Sequence, residues 1–365
     1  MILSTALGAV YDKVQELGKR KSWFLYVSVI FAIVVFINGI GIVPEEPYQR
    51  LSQNPFTTRT DIHFNNYWQE TLLLPLLAHY LSLTGTITFN LLAFAVIVGA
   101  FALFSWLTYR HWGSVLALLL SVLLITSPLT TILLSWLGTP DGLTLALTVP
   151  FLFVNSFPLI FLLSLLGAAN HPAFIIAVME ILVLRWAMRD GIDLKQLIFA
   201  FLGIACGFGA VQFFLYSYGI EVVSRFDFMQ LKDINGWVGM NLINLPATLF
   251  SLFNIHWLIL PVSLLMFFNK NRRFFLLMLS MLLLNYALVF FTLDTTRIFI
   301  LTSWGVLFTS IFYSFKLAES ESYRKQYLIA LILIGITSLF TPRYFSWVGE
   351  IHMAPFFKTI SRLIQ

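Results

Sequence analysis

Cysteine is almost absent: Cys206 is the only one in 365 residues. That excludes a disulfide framework and a thiolate metal site. Charge is scarce as well. Charged residues make up 11% of the chain, less than half of the roughly 25% usual in soluble domains. So few charges exclude a soluble globule, a disordered chain and a nucleic-acid binder. The P-loop, GxSxG, HExxH and Gly-rich dinucleotide motifs are missing, so no nucleotide or redox cofactor is expected. No repeat of about 20–50 residues shows beyond the hydropathy itself, and no matched pair of half-chains.

Apolar sequence is what the chain has in quantity. Hydrophobic residues account for 59%, with 37 Phe and 10 Trp, and the mean hydropathy is +0.87. Apolar runs of about 20 residues recur at 23–43, 86–108, 113–137, 195–218, 245–268, 274–293, 297–316 and 327–345. The fold class this predicts is all-α, a polytopic transmembrane helix bundle. The net charge of +5 then reports Lys and Arg that hold loops on the cytoplasmic side. The polar start up to Lys19-Arg20-Lys21 precedes an uncleaved first span rather than a signal peptide, because the run is too long and lacks a small-residue cleavage site.

The stretch 142–187 is interrupted at Asn155-Ser156 and at Asn170-His171-Pro172. Charge arithmetic bears on whether 142–169 is one span or two. With two short spans, about 10–11 in all, 14 of the 22 Lys and Arg lie inside and eight outside; with one span the split is 11 to 11. The positive-inside rule favours two. The N-terminus is then cytoplasmic, and ten of the 17 acids lie outside. The predicted layout is a cytoplasmic segment 1–22 and one transmembrane domain 23–345. The domain has outer loops at 44–85, which carries an interfacial helix, and at 219–244. An interfacial tail, 346–365, follows. An inner, plasma-membrane location is expected, with the functional face extracytoplasmic.

Several polar groups gather on that outer side. In Arg59-Thr60-Asp61-Ile62-His63, Asp61 and His63 share a face if the segment is extended. Asp61 is a candidate general base, or the two are candidate ligands of a divalent cation, or Asp61 is a capping acid. Residues 66–82 read as an interfacial helix broken by Pro75, either a connector or the wall of a lipid groove. Gly138-Thr139-Pro140-Asp141-Gly142 opens a helix, with Thr139 as cap and Pro140 at the first helical position. His171 in Asn170-His171-Pro172 is either a polar cap or a substrate contact. Asp294 caps the run 297–316, and Arg297 stands in its first turn, where the helix dipole disfavours a cation. A carboxylate or an anionic substrate group must compensate it. Glu180 is nearly the only acid within a span, so an ion-coupled transporter is poorly provided for; a polar partner on a neighbouring helix would account for it. The segment 219–244 could form an amphipathic lid.

This layout resembles the GT-C superfamily of polytopic glycosyltransferases. The residues that carry the likeness are Asp61 ahead of Leu74-Pro75-Leu76, the turns at 138–142 and 170–172, and Asp294 with Arg297 before a span. The resemblance covers roughly residues 20–300. It implies a polyprenyl-phosphate-linked sugar as donor and a glycan, lipid or protein as acceptor. It also implies Asp61 as catalytic base, with His63, Asp141, His171, Asp294 and Arg297 as substrate-binding candidates. The chain departs from the pattern in having Ile62, not a second acid, beside Asp61, and in its short tail. A polysaccharide polymerase or ligase has a similar layout. A transporter or flippase would place its polar residues at mid-depth instead.

Overall fold

The computed structural model describes residues 2–41, 47–59, 63–223, 234–290, 292, 294–318, 320–347 and 349–356. Nearly everything described is helix. Among the described residues, five stretches are long and apolar enough to cross a membrane: α5 (Thr86–Trp112), α11 (Leu194–Ser217), Leu245–Leu264, α15 (Arg272–Val289) and α16 (Thr295–Leu317). The number rises to seven if two bent pairs each count as one span. One pair is α1 (Ile2–Lys19), which is amphipathic, with α2 (Trp23–Asn38), at 110°; the other is α6 (Ser114–Thr126) with α7 (Pro128–Ser135), at 53°. The chain is therefore a multi-pass helical membrane protein.

The count of 10–11 spans is larger because apolar length alone hides breaks. Pro128 has no N–H to donate, and the Ser127 hydroxyl instead bonds Leu124 O, so α6 and α7 bend apart. The run 245–268 still supplies one membrane-length stretch, although Asn254, with φ of 54°, interrupts it between α13 (Leu245–Phe253) and α14 (Ile259–Lys270). The remaining expected spans are short helices: α8 (Asp141–Thr148), α9 (Phe157–Asn170) and α10 (Ala173–Ala187). α17 (Glu321–Phe340) is the last helix of comparable length.

Three further corrections concern the outer segments. Pro75 breaks nothing: it sits in the first turn of α4 (Leu73–Tyr80), where its missing N–H is harmless. The loop 44–85 is compact, with α3 (Pro47–Gln53) packed on α4. The end of the run 327–345 and the start of the tail form an antiparallel hairpin, β1 (Tyr344–Trp347) with β2 (Glu350–Met353), so the fold is not purely α. Residues 224–233 of the expected lid lie outside the described part; α12 (Ile234–Ile243) follows them.

Hydrogen bonds settle the relative direction of the short helices. Asn170 Nδ2, at the end of α9, donates to Pro140 O at 3.1 Å and to Thr144 Oγ1 at 3.0 Å, at the start of α8. The two legs are thus antiparallel. Arg185, at the end of α10, donates to Phe151 O (2.7 Å), Val154 O (2.8 Å) and Asp190 O (3.0 Å), and also to Asn155 Oδ1. The guanidinium so closes the carbonyls left open where the 3-10 turn after α8 ends. These contacts define two ends of the bundle. Asp141, Asn170-His171 and Arg297 lie at one; His111, Asn155, Arg185, Asp190 and Lys316 lie at the other.

α16 runs through the centre and is buried almost all round. Its hydroxyls mostly return to their own backbone: Thr302, Ser303, Ser310 and Ser314 each bond a carbonyl three or four residues back. α11 docks on α9 through Gly203 and Gly207, spaced as in a small-xxx-small contact. A Cβ at these positions would come within 2.4 Å of Phe161 O and 2.3 Å of Leu165 O. Gly207→Leu is therefore expected to push the helices apart and to cost about 1–3 kcal/mol. A thermal midpoint in detergent equal to wild type would contradict this packing.

Candidate functional site

The most heavily charged buried cluster sits at the Asp141 end. Arg297 Nε donates to Asp141 Oδ2 at 2.7 Å and Nη2 to Asp141 Oδ1 at 3.1 Å; Nη1 donates to Asp294 Oδ2 at 2.9 Å. Asp141 is wholly buried, and the other two side chains are 11% and 26% exposed. This answers the dipole problem posed by a cation in the first turn of α16. Two carboxylates, one of them bidentate, hold the guanidinium in place. All three guanidinium nitrogens are thereby committed.

The surroundings come from five chain segments. The Trp136 ring, after α7, lies 5.5 Å from the Arg297 guanidinium and 5.5 Å from the Trp347 ring of the hairpin. Tyr48 of α3 is within electrostatic reach of Arg297, and its ring lies 6.2 Å from that of Trp68. His171 is within electrostatic reach of Asp141. Its Nδ1 accepts from the Ala173 amide at 3.2 Å, which leaves the ring proton on Nε2. It therefore caps α10 and faces the acid at once. Thr139 is not a cap: its hydroxyl donates to Trp136 O, and α8 begins without a side-chain cap. The hairpin is tied down by the Ser346 amide donating to Thr296 Oγ1 at 2.9 Å, one residue from Arg297.

Of the six residues singled out in the sequence, four converge here: Asp141, His171, Asp294 and Arg297. Asp61 lies outside the described residues. His63 begins a 3-10 helix, His63–Glu70, and its side chain is likewise outside them. The described segments on either side are joined, since Gln69 accepts from the Arg59 amide at 2.8 Å and donates to Thr57 O at 2.9 Å. No group of three His, Cys, Asp or Glu side chains suited to a metal ion occurs among the described residues.

Two polar features escape sequence reasoning. Arg343, at the root of the hairpin, is 2% exposed, and its three guanidinium nitrogens have no partner among the described residues. A buried cation without a partner is costly, so the site favours an anion. No spacing rule marks it, because its burial, within electrostatic reach of His256, is set by chain segments remote in sequence. Trp136 is the other: a Trp near a helix end reads as an interface anchor until the fold sets it on Arg297.

Glu180 takes the expected polar partner. Asn285 Nδ2 of α15 lies 3.0 Å from each of its carboxyl oxygens. At the far end, Lys316 donates to Asp190 Oδ1 at 2.8 Å, and Arg185 Nε lies 3.5 Å from Asp190 Oδ2. Burial pushes the Asp190 carboxyl up, but Lys316 and Arg185 outweigh it and hold it below the usual range. A lowered folded-state pKa adds stability above the ordinary value, near pH 4, and that stability is lost as pH falls through the lower folded value. Asp190→Asn should flatten the acid limb of the thermal midpoint plotted against pH. An unchanged acid limb would remove Asp190 from the acid response.

The chain matches no protein-family model, no curated protein and no solved structure.

Proposed function

We propose that this membrane protein is a glycosyltransferase that moves a sugar from a polyprenyl-phosphate donor to an acceptor hydroxyl at the Asp141 end, and that this end is extracytoplasmic. The observation that carries the reading is convergence. The first-loop helix α3, the starts of α8 and α16, the α9–α10 turn and the hairpin meet around one buried ion cluster. The opposite end carries Arg185, Lys316, Arg189 and Arg273, as a cytoplasmic face should.

In the proposed reaction Asp61 takes the proton of the acceptor hydroxyl. The freed oxygen attacks the anomeric carbon, and the bond from that carbon to the phosphate oxygen breaks. The lipid phosphate leaves with the electron pair. Arg297 organises the site, with each of its three nitrogens already bonded to a carboxylate. Arg343, buried and unpartnered, is the better cation for that phosphate. The test is release of polyprenyl phosphate in proteoliposomes supplied with a panel of polyprenyl-phosphate sugars and soluble acceptors. Arg343→Gln should slow release more than it alters thermal stability. If no donor of the panel is turned over by the wild type, the glycosyltransferase reading fails.

A transporter is the second reading, and the Glu180–Asn285 pair within the bundle is the observation in its favour. Glu180→Gln keeps the capacity to bond Asn285 and removes only the ability to take up and release a proton. An enzyme working at the Asp141 end tolerates that change; an ion-coupled carrier does not. Orientation is checked on a Cys206→Ala background, with single cysteines at the partly exposed Asp294 and at the exposed Glu350 of the hairpin, and a control at Asn271. Labelling of the first two from outside the cell, and not of the third, is the expected result.

A further inference from the structure

The bundle has a second polar site at the Lys316 end, far from the ion cluster of Asp141. A cavity of about 440 Å³ opens there, within the size range of small-ligand sites. Trp112, Phe153 and Phe312 form one wall, with the Trp112 and Phe312 rings stacked at 5.5 Å. Arg185, Asp190 and Lys316 supply its charged lining, and the lysine is half exposed. Two cations against one carboxylate leave this lining net positive.

α16 supplies the independent observation. Thr302, Ser303, Ser310 and Ser314 of this helix satisfy their hydroxyls on its own backbone. Thr309 and Tyr313 do not. Their hydroxyls are buried and make no hydrogen bond within 3.5 Å; that of Thr309 is the more isolated, since that of Tyr313 stands within electrostatic reach of Asp190 and Arg185. They stand four residues apart, on one face of the helix, and both line the cavity. Unpaired buried hydroxyls cost stability unless something bonds them. A helix that satisfies its hydroxyls elsewhere and leaves these two unpaired beside a cavity has a ligand's donors in place.

We propose that this cavity binds a phosphate-bearing group joined to an apolar moiety. Lys316 would leave Asp190 for the phosphate, Thr309 and Tyr313 would donate to its oxygens, and the aromatic wall would take the apolar part. A lipid headgroup and a free phosphate share this chemistry. The site does not depend on the reaction proposed for the other end, and Asp61→Asn should leave it intact.

The test uses the full-length protein in a neutral detergent. Its thermal midpoint is followed during titration with dihexanoyl phosphatidic acid, with inorganic phosphate, and with dihexanoyl glycerol as the phosphate-free control. A concentration-dependent rise with the phosphatidic acid alone assigns the site to a lipid headgroup; a rise with inorganic phosphate as well assigns it to phosphate in either form. The double variant Thr309→Val, Tyr313→Phe removes both hydroxyls and keeps the shape of the two side chains. It should need about tenfold more ligand for the same rise. If the double variant does not fold, Lys316→Gln, at an exposed position, should show the same weakening. The proposal is overturned if neither phosphate compound raises the wild-type midpoint. It is equally overturned if dihexanoyl glycerol raises it as much, or if the folded variants titrate like wild type.

Discussion

Arg297→Ala is expected to destabilise the protein by about 3–5 kcal/mol, the largest effect of any single substitution considered for this chain. The reason is the group left behind. Asp141 has no solvent exposure and receives two of the three hydrogen bonds from Arg297. Without the guanidinium its carboxylate stays buried and unpaired, or must take up a proton. Arg297→Lys should fall between the two, because an ammonium is a point charge and cannot span both oxygens of Asp141 while also reaching Asp294. The double change Asp141→Leu, Arg297→Met should recover most of the lost stability, since it removes both buried charges and leaves Asp294 partly hydrated. It should not recover turnover if the cluster organises the site. Unfolding midpoints in detergent decide the matter. If Arg297→Ala melts with the wild type, the pair contributes nothing to the fold.

Asp61→Asn is expected to lower turnover by about 10²–10⁴-fold, the usual range for a positioned general base. Asparagine keeps the size and polarity of the side chain and cannot accept the proton. The thermal midpoint should therefore stay where it is, in contrast with Arg297→Ala. The pair of measurements separates chemistry from architecture: one substitution removes rate at constant stability, the other removes stability first. Wild-type rates of polyprenyl phosphate release in Asp61→Asn, at equal protein level, would end the assignment of Asp61 as base.

The convergence of Asp141, Asp294 and Arg297 was anticipated in one respect. A cation in the first turn of a helix needs an anion, and Asp294 is close in sequence. Asp141 lies 156 residues away, and nothing local pairs it with Arg297. The same contrast holds for Glu180, whose need for a partner follows from its place in an apolar run, whereas Asn285 as that partner follows only from α10 packing on α15.

By itself the sequence determined the helical membrane class and the interruptions at 155 and 170, while the antiparallel course of the two legs they separate rests on the Asn170 hydrogen bonds. Hydropathy and charge are properties of each residue in turn, and they add along the chain. Tertiary structure alone decided the burial of Arg343, the close approach of α11 to α9 through Gly203 and Gly207, and the burial of the Thr309 and Tyr313 hydroxyls. Each of these depends on which helix faces which. Between helices in lipid the driving force is packing and interhelical hydrogen bonding rather than hydrophobicity. The apolar pattern that names the spans therefore does not record how they meet.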